Sequence, residues 1–224
     1  MAGLTPDDHA IVTEAVRQAE LHTSGEIVTV VADRSDGYAD IALAWGAFAS
    51  FTVLTLLVVF PEPPLRFYEG LHGTWNAQWL PADVFGVAAA IAILAFFATV
   101  LALLRDSLRF ALVPGRIKSM RVEDRAIDLF KVGAERRTHG KTGVLIYLSL
   151  REHRAEIVAD EAISGKVAPE VWGVAMADML AEIRHGRLGH GIAAGVRDVG
   201  AVLAEHFPRS EDDTNELPDR LIEL

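Results

Sequence analysis

The sequence predicts an α/β domain interrupted by a two-helix membrane hairpin. Ile41–Pro61 and Val84–Leu104 are each 21 residues long and carry no charge. At 1.5 Å rise per residue, each makes a helix of about 30 Å, the thickness of the hydrocarbon core. Gly143–Leu150 carries large apolar side chains at both parities, Val144, Ile146 and Leu148 on one face and Leu145 and Tyr147 on the other. A strand with one wet face alternates apolar with polar, so this strand is expected to be covered on both sides. Finally, residues 1–40 hold one helical and one strand pattern, too little to bury a core alone. They are therefore expected to pair with the part after residue 115. The predicted division is 1–40, the domain's first helix and strand; 41–104, the hairpin with spans 41–61 and 84–104; and 105–224, the rest of the domain and a tail.

Each element has its local cause. Thr5 caps a helix, Pro6 suits its first position, and Asp7 and Asp8 sit at its positive end. Ile11, Val12, Ala15, Val16 and Ala19 recur at helical spacing, and Ser24-Gly25 stops the run. Glu26–Ala32 is a β-branched strand, followed by an acidic loop, Asp33–Asp40. Arg105–Val113 extends the second membrane helix, and Pro114-Gly115 ends it. Arg121–His139 is a further helix closing on Arg136, Arg137 and His139. The strand Gly143–Leu150 turns at Arg151-Glu152-His153-Arg154 and returns antiparallel as Ala155–Ala159. Pro169-Glu170 opens a helix striped by Trp172, Met176 and Met179, read as core, and Gly186 ends it. Gly191–Phe207 is a last helix, stopped by Pro208. The tail turns apolar again at Leu217, Leu221, Ile222 and Leu224, and either docks or stays loose.

The membrane reading has supporting detail. Trp45 lies near the start of the first span, and Phe67, Tyr68, Trp75 and Trp79 crowd the connection, as rings do at headgroup level. Ala42, Gly46 and Ser50, and likewise Gly86 and Ala90, have the spacing that lets helices approach. The connection carries one cation, Arg66, whereas Arg105, Arg109, Arg116, Lys118, Arg121 and Arg125 follow the second span. That asymmetry predicts a multi-pass protein of the cell (inner) membrane with both termini cytoplasmic. The first apolar stretch begins after forty largely polar residues and is expected to be an anchor rather than a cleaved leader. The net charge of −10 argues against a nucleic-acid partner. With no cysteine, disulfides and thiolate chemistry are excluded.

Familiar catalytic patterns are absent: there is no P-loop, GxGxxG, GxSxG or HExxH. The nearest thing to a site is a set of acids at strand ends. Asp160 and Glu161 follow the strand hairpin, and Asp33, Asp36 and Asp40 follow the first strand. If those strands point the same way, Asp160, Glu161 and Asp33 form a hard oxygen site for Ca²⁺ or Mg²⁺. His153 is the only member of the charged turn able to do acid–base work near neutral pH. His185 and His190 lack a third ligand nearby, and Arg136, Arg137, His139 and Lys141 are explained by helix-end electrostatics.

GVLIYLSLREHRAEIVADEAI, with the helix before it and the PEVWG helix after it, resembles the TPM domain. TSGEIVTVV resembles that domain's opening strand, and the likeness is nearest to a bacterial membrane branch. The resemblance implies a small mixed β-sheet sandwiched by helices. It also implies divalent-cation binding in some members, acid phosphatase activity in a plant thylakoid-lumen member, and accessory roles in membrane complexes in others. Longer relatives carry an extra Asp-bearing strand before the first helix, whereas this sequence opens at the helix, and many relatives place the domain outside the cytoplasm. The expected function is a binding or accessory module acting on membrane proteins, with Ca²⁺ or Mg²⁺ as the candidate ion. Its expected partners are the lipid bilayer and another membrane protein. The alternatives are a metal-dependent phosphatase, for which no nucleophile with a positioned base can be named, and a purely structural anchor.

Overall fold

The computed structural model describes residues 4–72, 80–133, 142–210, 217 and 219–224. Two compact units emerge, one made of residues 1–36 and 115–224, the other of residues 37–114. The first is a mixed α/β unit and the second is helical.

In the α/β unit, α1 (Pro6–Glu20) opens on a capping box. Asp8 N donates to Thr5 Oγ1 at 3.2 Å and Thr5 N donates to Asp8 Oδ2 at 2.9 Å, which satisfies two helix-end donors at once. The helix ends four residues before Ser24, with Leu21 as its C-cap in right-handed conformation. Gly25 is therefore no helix cap; a side chain there would meet Leu203 Cδ1 at 3.0 Å. β1 (Glu26–Ala32) and β2 (Gly143–Ser149) pair in parallel over seven residues, from Glu26 opposite Gly143 to Ala32 opposite Ser149. β3 (Arg154–Ala159) returns antiparallel to β2. His153 takes φ +52° in the turn between them, which closes the four-residue loop. β4 (Ile222–Glu223) adds the fourth strand beside β1, giving the order β3-β2-β1-β4. The tail therefore docks.

Every residue of β1 and β2 is buried, so the two-sided pattern of β2 means what it appears to mean. Ile27, Val31, Val144, Ile146 and Leu148 pack toward α1, α8 (Val171–Arg184) and α9 (Leu188–His206). Val28, Val30, Leu145 and Tyr147 face the other way, onto Val122, Ala126 and Phe130 of α6 (Gly115–Gly133). Each fully buried aliphatic side chain contributes about 1.5–3 kcal/mol. α6 starts six residues earlier than its apolar periodicity suggests, directly after Pro114, and its described part ends at Gly133. Arg136, Arg137, His139 and Lys141 lie outside the described residues. Trp172 and Met176 are partly buried and Met179 wholly buried in the core, as their spacing predicts. Gly186 follows α8 with φ +77°, a conformation that suits glycine.

The helical unit holds α2 (Ala39–Val59) and α4 (Pro81–Ala102), both long and apolar enough to cross a membrane. Their bounds sit two to three residues before the predicted spans, because Pro61 follows the first and Pro81 opens the second. α3 (Glu62–His72) lies in the connection, to which the sequence reading assigned no element; Arg66 pairs with Glu62 one turn away at 3.0 Å. Trp75 and Trp79 lie outside the described residues. Arg105–Val113 is not a continuation of α4. The chain turns over Leu103–Arg105 and restarts as α5 (Asp106–Leu112), where Arg109 pairs with Asp106.

Of the two small-residue patterns, the first packs and the second does not. Ala42 and Gly46 are buried where α2 meets α4. Gly86 and Ala90 are exposed, and α4 offers Ala92 instead. A Cβ on Gly46 would lie 2.8 Å from Val100 Cγ2 and 3.1 Å from the Phe96 ring. Gly46→Val is expected to cost the hairpin about 1–3 kcal/mol by overpacking. Adding Val100→Ala should recover part of that loss in detergent melting curves, and no recovery would show that the crossing lies elsewhere.

Candidate functional site

Two parallel strands in register end at the same place. The loop after β1 and the turn after β2 therefore meet at the carboxyl ends of the strands, where open α/β sheets commonly bind ligands. Leu150 N donates to Ala32 O and Arg151 N to Asp33 O, both at 3.0 Å, carrying the ladder past the strands. Beneath that backbone lies a polar cluster centred on Glu152, which is only 2% exposed. Ser149 Oγ donates to Glu152 Oε2 at 2.5 Å, and Ser35 N donates to Glu152 Oε1 at 3.0 Å. The Ser35 and Tyr147 hydroxyls share a hydrogen bond of 2.9 Å. Burial pushes the Tyr147 phenol above its usual range, opposed by its bonds to Ser35 and Ser149; the Glu152 charge adds to the rise.

Ion pairs ring the cluster. Arg151 Nε donates to both oxygens of Asp33, at 3.2 and 3.0 Å. Arg121 Nε lies 3.2 Å from Asp36 Oδ2, within ion-pair reach but off hydrogen-bond alignment. Arg154 Nε reaches Ser119 Oγ on α6 at 3.3 Å. The arrangement ties two loops, the sheet end and α6 together through charged and neutral hydrogen bonds.

The three carboxylates suggested as metal ligands are not brought together. β1 runs parallel to β2 and β3 antiparallel to it, so β1 and β3 point in opposite directions. Asp33 follows β1 at one end of the strands, and Asp160 follows β3 at the opposite end, beside the start of β2. A seven-residue strand separates them by about 20 Å. Asp160 is 4% exposed, and its Oδ2 accepts Gly143 N at 2.9 Å while its own N donates to Gly143 O at 3.0 Å. It fastens the end of β3 to the start of β2 and opens the short helix α7 (Glu161–Ser164), which the sequence reading did not expect. Glu161 is exposed in the first turn of α7. Asp33 already has a guanidinium beside it. The set therefore does not fit a single ion. Among the described residues, no group of three or more His, Asp or Glu side chains could hold a metal.

Asp40 belongs to the first turn of α2. His153 shapes the strand turn, and His185 bonds through Nδ1 to Ala181 O at 2.7 Å. The residue that sequence reasoning missed is Glu152, which belongs to the charged turn but is buried. A signal was present: Ser149-x-x-Glu152 has the spacing of a serine–glutamate capping pair.

Residues 105–202 match the family model of the TPM domain. The solution NMR structure of the BA42 protein from the psychrophilic bacterium Bizionia argentinensis resembles the whole chain in fold. It has a TM-score of 0.56 and 19% identity, over 100% of this chain and 97% of that one. No curated protein matches.

Proposed function

We propose that this chain, which carries a TPM domain, is a membrane-anchored binding module that presents the carboxyl edge of its sheet to another membrane protein. The supporting observation is how the strand-end groups are used. Glu152 accepts from Ser35 and Ser149, Asp33 from Arg151, and Asp36 faces Arg121. Groups so committed hold loops in one shape, and pre-organisation of that kind favours binding. Two apolar helices joined to the domain by chain on both sides suit an anchor, and the Lys/Arg asymmetry favours the inner membrane with both termini cytoplasmic. A reporter fused after Leu224 should then be active only in the cytoplasm. A Ca²⁺ or Mg²⁺ ion at Asp160 and Glu161 would be independent of Asp33, so Asp33→Asn should leave the heat of Ca²⁺ titration unchanged.

The test is a photo-crosslinking amino acid placed at exposed Arg34 of the full chain in native membranes. Discrete adducts with a membrane protein are expected, and Glu152→Gln, which loosens the loop, should diminish them. A structural anchor gives no adduct. A phosphatase is recognised separately, by metal-dependent hydrolysis of a phosphate ester that Asp160→Asn abolishes.

A further inference from the structure

The sheet is completed by a strand that is barely attached. β4 pairs with β1 only at Val30 and Val31, whereas β2 pairs with β1 over all seven residues on the other side. The seat of this short strand is nevertheless specific. Leu221 enters the core on the α1 and α9 side, while Leu217 and Ile222 pack on the α6 side. The Glu223 carboxylate meets His9 Nε2 of α1 at 2.5 Å. Leu224 N donates to Val31 O at 2.9 Å, and Asp33 N donates to Leu224 O at 3.2 Å. Together these contacts describe what the outer edge of β1 accepts. It takes an extended segment running parallel to β1, with neighbouring apolar side chains on opposite faces and then a carboxylate directed at His9.

We propose that the outer edge of β1 is a peptide-docking site, that Leu217 and residues 219–224 are its resident occupant, and that an extended apolar–apolar–acidic segment of a membrane-protein partner displaces them. Strand addition of this kind draws affinity from main-chain bonds and specificity from alternate side chains. An edge covered by a short self-strand is also protected from indiscriminate pairing. Glu223 is half exposed, so its pair with His9 sets direction and register more than strength. The inference rests on the binding-module reading for the class of partner, but the surface is different: the flank of β1, not its carboxyl end.

The experiment uses the full chain in detergent micelles and a fluorescent peptide of residues 217–224, read by anisotropy. Leu221→Ala with Glu223→Gln weakens the resident strand. The peptide is expected to bind this variant saturably and at least about tenfold more tightly than the unaltered chain, whose edge is occupied. Adding His9→Ala should weaken that binding. Equal or non-saturable binding to both proteins overturns the proposal. Hydrogen exchange on the unaltered chain guards against a misfolded variant. The Asp33 and Leu224 amides should exchange at least about tenfold faster than those of Leu150 and Arg151, which cross from β2 to β1. Equal protection of the two sets also overturns it. Peptide binding without adducts at Arg34 would leave this edge standing and refute the strand-end surface, so the two readings fail separately.

Discussion

Glu152→Ala is expected to destabilise the α/β unit by about 2–4 kcal/mol, because it strands the two donors whose hydrogen bonds the carboxylate accepts. Both carboxylate oxygens accept hydrogen bonds, from Ser35 N and Ser149 Oγ, at a position only 2% exposed. Alanine takes the carboxylate away from the part-buried Ser35 amide and the buried Ser149 hydroxyl and removes the link between the loop after β1 and the turn after β2. Glu152→Gln keeps an acceptor for Ser35 N but turns an amide group toward Ser149, and should cost about 1–2 kcal/mol. Tyr147→Phe, which removes the hydroxyl that bonds to Ser35 and Ser149, should cost about 1–2 kcal/mol. Pulse proteolysis in urea reads these differences without interference from the membrane helices. A loss below about 1 kcal/mol for Glu152→Ala would mean that the cluster does not hold the strand ends together.

Gly191→Ala should be nearly as damaging, although alanine is the better helix former by about 1 kcal/mol. A Cβ at this position of α9 would lie 2.7 Å from Met179 O and 2.7 Å from Ile183 Cγ1 on α8. The carbonyl belongs to backbone and cannot rotate away, so the two helices must separate, at a cost of about 2–3 kcal/mol. Gly200→Ala makes a useful contrast. Its nearest obstacle is Ala19 Cβ on α1, at 2.6 Å, with the Ala19 backbone no closer than 3.4 Å. Ala19→Gly should therefore rescue Gly200→Ala, while no single side-chain change on α8 should rescue Gly191→Ala. Melting temperatures of the four proteins decide the matter; rescue of Gly191→Ala by Ile183→Ala alone would place the obstacle in the side chain.

The strands and the longer helices were legible because their signals are local. Glu26–Ala32 is a β-branched run bounded by Gly25 and Asp33, and β1 has those bounds. The parity of Val144 to Leu148 assigned each side chain to its face, and the two core clusters divide the same way. The helix start needs only four residues to be recognised, Thr5 to Asp8, and Thr5 is the N-cap of α1. Less local features were not legible. α3 has two consecutive prolines after its first residue and a short apolar pattern, which reads equally well as a turn. Strand β4 is two residues long and exists only because Leu217 and Leu221 find opposite faces of a sheet already built.

The candidate site shows the same division. Acids at strand ends are visible in a sequence, but strand direction is not. Asp33 and Asp160 both follow apolar runs, and whether they meet depends on how β1 pairs with β2, a contact across more than one hundred residues. The sequence by itself determined the two apolar helices, the doubly covered strand and the types of residue available for chemistry, since these follow from hydropathy period, length and composition. Only the tertiary structure decided that Asp33 and Asp160 lie at opposite ends of the strands, that Glu152 points inward, and that the tail closes the sheet. Those outcomes depend on strand direction and on competition for buried hydrogen-bond partners, which are set when distant segments pack.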